Sequence, residues 1–460
     1  MNIFLHHRDI RYQDNTTLIK MYKDINEPII PVFIFPPEQI DRKKNKYFSD
    51  NLVQFMCESL EELDQSYKKK KSKIHFFEGD NIEILDRIHK KNKIKNLGFN
   101  IDYSPYAKDR DSKIKKWCDK NNITCYSEED LLLVDLLEGK TKSKTSDQPY
   151  KVFTPFMRHL RASYRVEKLD NTKVKFTKFN PQIKGELKTE EMKKFYKKNN
   201  NLNVKSGRTE GKKKLKQVKV QKDYDECRNF LTYNTTHLSA YINLGVLSIR
   251  EIYHHSMEKL GGKSGLITEL YWRDFYYNIL HFFGNVVGNS FRSEYDKIKW
   301  RNDKKEFKAW CEGNTGFPIV DACMRQMNTT GYMHNRGRMI VASFLTKDLL
   351  IDWRWGEKYF ATQLQDYNLS ANNGGWQWAS GSGTDAQPYF RIFNPWTQSG
   401  NFDKNCEYIK KWVPELKDVE NKHIHNWDKF SKENDVDYPD PIVDHKKERE
   451  NTLKVYKKYL

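Results

Sequence analysis

Residues 372–395 read NNGGWQWASGSGTDAQPYFRIFNP, and no other stretch of this chain concentrates as much potential chemistry. Asn372 and Asn373 open it, Trp376 and Trp378 follow two apart, and Asp385 and Arg391 come later, with glycines between them. Glycine permits close backbone approach and dihedrals that other residues avoid. Indole rings supply flat apolar faces, and Asn and Asp supply directional hydrogen bonds. This mixture suits a pocket for a large planar polar ligand such as a flavin, with an aromatic shelf for a second planar group such as a base. Little of the run suits a plain amphipathic helix. A buried loop around a Trp-rich core fits the same composition, and on these residues alone both alternatives stay open.

Two other motifs fail on spacing. Gly262-Lys263-Ser264 has the ending of a phosphate-binding loop, but that loop needs a glycine five residues earlier, where Met257 stands. His254, His255 and Glu258 lack the arrangement of two His flanking a Glu that holds a catalytic zinc. The seven Cys include no Cys-x-x-Cys pair and no Cys/His cluster at zinc-ligand spacing, so no metal is expected. They fit free, mostly buried thiols of a reducing compartment.

The 460 residues hold 81 Lys plus Arg against 62 Asp plus Glu, a formal net charge of +19. That excess favours a polyanionic partner, nucleic acid before an anionic membrane surface. No apolar run approaches the ~20 residues of a membrane span. The opening MNIFLHHRDIR is too short and too charged for a signal peptide. A soluble intracellular protein is expected, with nucleus and cytoplasm both open.

The elements that must position these groups divide into two kinds. Apolar segments at 3–5, 29–35, 74–77, 97–101 and 123–126 alternate with helical patterns, which predicts a doubly wound parallel α/β domain over residues 1–130. Its clearest helix opens at Ser49-Asp50 and puts Leu52, Met56, Leu60, Leu63 and Tyr67 on one face. With only Gly79 and Gly98 in this segment, a dinucleotide-binding fingerprint is rejected. Periodicity fades over 131–205, and residues 184–222 carry 14 Lys/Arg against 4 Asp/Glu. This predicts an inter-domain linker running into a basic surface, either solvated or facing nucleic acid. Residues 206–460 are mostly helical in pattern. Val320, Cys323, Met324 and Met327 form one stripe, and a second helix after Thr330-Gly331 carries Ile340, Val341, Phe344, Leu345 and Leu349. There is no internal repeat at solenoid period.

Several segments now come together: 269–276 (ELYWRDFY), 316–322 (GFPIVDA) leading into 332–339 (YMHNRGRM), 350–354 (LIDWR), the opening run, and the N-terminal His7-Arg8-Asp9-Ile10-Arg11 with Asp14-Asn15. In this order they closely resemble the DNA photolyase/cryptochrome family. The likeness extends through 150–156 (YKVFTPF) to 441–446 (PIVDHK), nearly the whole chain. The resemblance implies an α/β antenna domain followed by an all-α FAD-binding catalytic domain over 206–460. In the family, reduced flavin absorbs blue or near-ultraviolet light and passes an electron to a pyrimidine dimer flipped out of DNA. The ring splits and the electron returns, with the protein supplying orientation and electrostatics. UV-damaged DNA is then the expected partner of a monomer, bound in a salt-dependent way.

The same resemblance implies residue roles. Tyr224, Thr235, Thr236, Leu238 and Ser239 match the turn around the FAD pyrophosphate, where hydroxyls and backbone N–H groups suit phosphate oxygens. His237 departs from the family, which usually has a basic residue there. Asn372 matches the Asn beside flavin N5, and Asp366 an acid facing the isoalloxazine edge. Asn368 stands where a second acid is common. Trp376, Trp353 and Trp300 match a chain of electron carriers from flavin to surface. Trp272 and Trp378 match walls of the lesion cavity, where rings stack on flipped bases. Glu269 matches a carboxyl that contacts a pyrimidine carbonyl and must hold a proton to donate, which burial favours. A pair with Arg273, one turn away, is its structural alternative. Asn335 and Met339, four apart, face the same way and match lesion contacts. Arg228, Arg336 and Arg338 are expected on DNA.

Within the family three activities compete. Six-four photolyases resemble one another in having His where Asn335 and Met339 stand, and neither Asn nor Met can supply the acid their chemistry needs. DASH-type cryptochromes usually have Tyr in place of Trp378. Other cryptochromes often carry long C-terminal tails and alter the set Glu269, Asn335 and Trp378, which is intact here. The expectation is a class I cyclobutane pyrimidine dimer photolyase, a carbon–carbon lyase, with a cryptochrome-type photoreceptor as the alternative. A second, light-harvesting chromophore, folate or deazaflavin, is expected in the N-terminal domain with residues 46–54 bordering it and no ligand assigned.

Overall fold

Five parallel strands stand close to the five apolar runs: β1 Asn2–Leu5, β2 Ile29–Phe35, β3 His75–Glu78, β4 Asn96–Asn100 and β5 Thr124–Glu128. The computed structural model describes residues 1–137, 139–143, 146–180 and 182–459. The sheet order is β5-β4-β1-β2-β3, with β6 Glu186–Leu187 added antiparallel to β3. Every residue of β1 and β2 is buried, as befits strands covered on both faces. β1 pairs with β2 on one side and β4 on the other. The winding therefore reverses between β1 and β4, which opens a crevice beyond their carboxyl ends.

Ser49 caps the Asp50–Lys68 helix, accepting the Leu52 N–H at 3.2 Å. Met56, Leu60, Leu63 and Tyr67 are buried on its inner face, and Leu52 is half-buried. Segment 131–205 is not the linker expected. It holds the Phe153–Ser163 helix, whose Phe153 stacks on Trp272 at 3.7 Å. Its residues Lys175 and Thr177 exchange backbone hydrogen bonds with Ile29, and it contributes β6. Periodicity fades there because Val166, Val174, Phe179 and Ile183 are buried one at a time, each filling a gap rather than building a face. The basic stretch is likewise no coil: Arg208–Gln217 is a helix, with Lys212 paired to Glu251 and Lys213 to Glu210.

The second half is helical. Val320, Cys323, Met324 and Met327 are fully buried on the Pro318–Thr330 helix, which Gly331 ends at φ 66°. The next helix, Asn335–Ser343, continues into one π-helical turn over Phe344–Asp348, so Phe344 and Leu345 lie beyond the regular helix expected. All seven Cys are free. Among the described residues no helix is long and apolar enough to cross a membrane.

The two halves are joined by buried charge. Arg11 and Arg250 both bind Asp130, the latter at 2.8 Å. Arg250 also binds the Asp14 carboxylate at 3.0 Å, and Ser248 donates to that carboxylate. Beside them Ile10 N–H donates to Leu244 O at 3.0 Å. Gly245 sits at φ 58° so close to the Arg8 carbonyl that a Cβ would come within 2.3 Å of it. Removing one partner of a buried pair strands the other's charge. Asp130→Ala is therefore expected to lower unfolding stability by about 3–5 kcal/mol in chemical denaturation. A loss under about 1 kcal/mol, the range of solvated pairs, would contradict the structural role given to this network.

Candidate active site

The run beginning at Asn372 does not open as the loop its composition suggested, because Leu369–Ser380 is an α-helix. Asn368 caps it, accepting the Ala371 N–H at 3.1 Å, and Gly381 closes it at φ 88°. Its inward face is held by amides. Asn373 donates to Glu357 Oε1 at 2.9 Å, and Gln377 donates to Asn373 Oδ1 at 3.0 Å and to Val286 O at 3.1 Å. Gly374 lets this helix cross the Gly265–Phe282 helix closely, since a Cβ there would lie 2.1 Å from the Tyr276 ring. The other face, at three-residue spacing, carries Asn372, Gly375 and Trp378, all at least partly exposed. A Cβ on Gly375 would meet nothing within 4 Å. That strip is open beside the helix, and it is called the slot below. Trp376 and Trp378 face different surroundings: Trp376 is 2% exposed, and Trp378 is half-buried.

Around the slot, Asn372 Nδ2 donates to Glu357 O at 3.0 Å, which orients its amide. Asp366 accepts two hydrogen bonds from Arg338, at 3.0 and 2.9 Å, and Arg338 also donates to Met333 O. Arg338, expected on DNA, is thus paired with the acid expected at the isoalloxazine edge. Arg228, also expected on DNA, forms an ion pair with Glu269 and lies 5.9 Å from the Tyr224 ring centroid. Only Arg336, bonded to Asn229 at 2.7 Å and resting 4.3 Å over Phe402, has no acid partner among the described residues. Asn368 gives both amide protons to Asn243 and Tyr277, and its oxygen accepts from Ser370 and Ala371. It therefore positions the helix and has no capacity left for a cofactor, contrary to its expected role. The Leu238 side chain is 2% exposed in the core, so only its backbone can face a ligand.

The groups expected to face a lesion lie on two helices. Glu269, Trp272 and Tyr276 share a face of the Gly265–Phe282 helix. Phe153 covers one face of the Trp272 indole at 9° to parallel. Burial raises the Glu269 pKa, and Arg228 opposes that rise. Arg273 turns away to Leu131 O and Asp274, so the alternative pair with Glu269 does not form. Asn335 and Met339 touch, Nδ2 to Sδ, at 4.0 Å at the start of their helix. Sequence reasoning missed Phe390, which is 61% exposed beside exposed Arg391. Its only signal was an aromatic next to Arg in a loop.

Whether these groups fit FAD can be tested on the structure. His334 is buried, and its Nδ1 accepts the Arg336 N–H at 3.1 Å, so Nε2 carries the proton. That N–H has no acceptor among the described residues. Nearby, Thr235 Oγ1 lies 3.5 Å from the Tyr332 hydroxyl, Thr236 is partly exposed and Ser239 exposed. An orphan donor, free hydroxyls and the slot at Gly375 fit a dinucleotide flavin. His237 is held between Asn203 and Asn234, and burial followed by the Lys214 charge pushes its pKa down to about 4. Burial thus favours its neutral form at the position where the family usually has a basic residue.

The expected electron carriers lie on separate elements. Trp353 is fully buried with its Nε1 unpartnered among the described residues. Trp376 packs one turn away from it, where a Cβ on Gly356 would be 2.1 Å from the Trp376 ring. Half-buried Trp300 meets Tyr456 edge-on at 6.1 Å. In the crevice beyond β1 and β4, Arg8 pairs with Asp102 at 3.3 Å and donates to Asn243. Tyr47, within the 46–54 stretch, lies 14° from parallel to Tyr367 with centroids 6.5 Å apart.

Comparison with known proteins agrees with this geometry. The family model described as DNA photolyase matches residues 2–175, and that described as the FAD binding domain of DNA photolyase matches 266–458. A deoxyribodipyrimidine photo-lyase of Escherichia coli (strain K12) is 34% identical over 472 residues, 98% of this chain and 97% of the relative. The crystal structure of an archaeal photolyase from Sulfolobus tokodaii, described with two FAD molecules, superposes with a TM-score of 0.88 at 36% identity over 100% of both chains. That of a Synechocystis sp. PCC6803 cryptochrome superposes with a TM-score of 0.89 at 27% identity over 99% of both. From its first strand to its last helix, then, the chain belongs to the DNA photolyase family, as an FAD-binding enzyme of the deoxyribodipyrimidine photo-lyase group.

Proposed function

We propose that the chain splits cyclobutane pyrimidine dimers in DNA with light. The observation that carries this is the contact between Asn335 and Met339 at the mouth of the site. Both are neutral and neither titrates, so this position can orient a pyrimidine pair but cannot supply the acid that a six-four photoproduct requires. Bound FAD, when reduced, supplies light absorption and the transferred electron. Asn372 and the Arg338–Asp366 pair would hold it, with Thr235, Thr236, Ser239 and the His334 Nε2–H available to its polar groups. Trp272, stiffened by Phe153 behind it, offers its second face to one base of the dimer, and Trp378 offers an edge of the slot. Glu269 accepts from Arg228; when that ion pair opens, burial favours the carboxyl taking up a proton from solvent, which it can then donate to a pyrimidine carbonyl. Arg336 and the exposed Phe390–Arg391 pair suit the DNA around an extruded lesion: cations for phosphates and an apolar wedge for the vacated stack.

A second, light-harvesting chromophore is proposed for the crevice beyond β1 and β4. The rule for open α/β sheets supports that place, as do the near-parallel Tyr47 and Tyr367 rings and the Arg8–Asp102 pair. The Sulfolobus tokodaii protein, described with two FAD molecules and a novel light-harvesting cofactor, supports a flavin there beside the folate or deazaflavin expected.

Reduced protein should restore intact thymines in an oligonucleotide carrying one defined cyclobutane dimer under blue light and not in darkness. Absence of light-dependent repair would favour the photoreceptor alternative, and repair of a six-four oligonucleotide instead would reverse the substrate assignment. Trp378→Ala is expected to weaken binding of dimer-containing DNA by about 1–3 kcal/mol through lost stacking. An unchanged preference for damaged over undamaged DNA would remove Trp378 from the site.

A further inference from the structure

His237 stands in the turn matched to the FAD pyrophosphate, and no N–H of its ring is left for a ligand. Its Nδ1 accepts from Asn203 Nδ2 at 2.9 Å and its Nε2 donates to Asn234 Oδ1 at 2.6 Å, which uses both nitrogens. The Tyr332 ring lies 4.9 Å away at 58° and closes a further side. The other donors around the turn are the Thr235 and Thr236 hydroxyls and the His334 Nε2–H. All are neutral, so an anion held by them alone keeps its charge unmatched.

A cation reaches the turn from another helix. On Arg208–Gln217, Arg208 and Lys212 pair with Glu251, and Lys213 pairs with Glu210. Lys214 is half-buried and makes no ion pair among the described residues. Gly211, three residues earlier, shares its face of the helix. A Cβ on Gly211 would lie 2.8 Å from the Tyr241 ring, so this face packs against the Ser239–Asn243 helix that leaves the turn. Tyr241 holds that approach by donating its hydroxyl to Lys205 O at 2.6 Å. The Lys214 charge acts at the turn itself: after burial, it is the second cause that lowers the His237 pKa. Asp366, which pulls the other way, is already matched by Arg338 at 2.9 Å.

His334 marks the same place independently. It is 3% exposed, and its Nε2 has no partner among the described residues. After burial, His237 is the largest influence on its pKa, so the two rings are neighbours. An unused buried donor and an unpaired half-buried cation thus converge on one turn. We propose that Lys214 supplies the positive charge for the FAD pyrophosphate, in place of a basic residue at position 237. The charge has moved from the turn to the helix packed beside it. A lysine there is a flexible point charge that remains partly open to solvent, so its attraction for the phosphates is screened by salt.

The inference rests on FAD binding and not on the identity of the lesion, so a failure of dimer repair by the wild type would leave it standing. Holoprotein is diluted in low and in high salt, and released FAD is followed by its fluorescence. Lys214→Gln is expected to raise the FAD dissociation constant about tenfold or more, through loss of one charge-assisted contact, and to flatten its dependence on salt. Lys214→Arg should hold FAD nearly as tightly as the parent. Lys216→Gln removes the same charge from an exposed position on the same helix and should change nothing. Lys214→Gln combined with His237→Arg should regain FAD, because the charge returns to the turn. The assignment is overturned if Lys214→Gln releases FAD like the parent, or if Lys216→Gln weakens binding as much. It is overturned equally if Lys214→Arg behaves like Lys214→Gln, which would make the side chain a packing element, or if the charge at position 237 restores nothing.

Discussion

The junction between residues 8–15 and 243–250 is the constraint on which the site depends. Arg11 and Arg250 with Asp14 and Asp130 would each be costly to bury alone, and together they compensate one another. Gly245 permits the backbone contact that brings them together. From this junction the geometry propagates. Asn243 accepts from Arg8 on the sheet side and from Asn368 on the helical side, and its own amide donates to Tyr367 O at 2.7 Å. Asn368 in turn caps the Leu369–Ser380 helix. The crevice beyond the strands and the open strip at Gly375 are thus fixed by the same few polar groups.

The slot depends on a helix that is polar on its inward side. Asn373 and Gln377 form an amide ladder with each other, Glu357 and Val286, so burying them leaves no group unpaired where a hydrophobic stripe would usually stand. Two glycines do opposite jobs on this helix. Gly374 admits Tyr276, and Gly375 keeps its side open. The charges near the slot are already matched in pairs, Arg338 with Asp366 and Arg228 with Glu269. Burial is the largest cause that lowers the His237 and His334 pKa values to about 4, with nearby basic side chains adding to it.

Much of the frame could be read in advance. β2 is seven apolar residues bounded by Pro28 and Pro36, and the Asp50–Lys68 helix announces itself with a capping Ser49 and a regular apolar face. The site helix could not be read the same way. Its stabilisers are an Asn cap, buried amides and a left-handed glycine, none of which leaves an apolar stripe. The acid partners of the arginines could not be read for a different reason. Arg228 finds its acid 41 residues away and Arg338 28 residues away, separations at which sequence periodicity carries no information. The resemblance to the family, resting on ordered motifs, reached further into the site than periodicity did. Even so, it did not show that Asn368 is fully committed to the protein.

The central claim is that the open strip of the Leu369–Ser380 helix is the seat of the flavin, and flavin stoichiometry in a Gly375→Val variant measures it directly. A Cβ at this position meets nothing within 4 Å, so the fold should persist, with unchanged circular dichroism and little change in unfolding midpoint. It would occupy the slot, and the purified variant is expected to lack the flavin absorbance of the parent protein. A folded variant that binds FAD at the parent's stoichiometry would contradict the account.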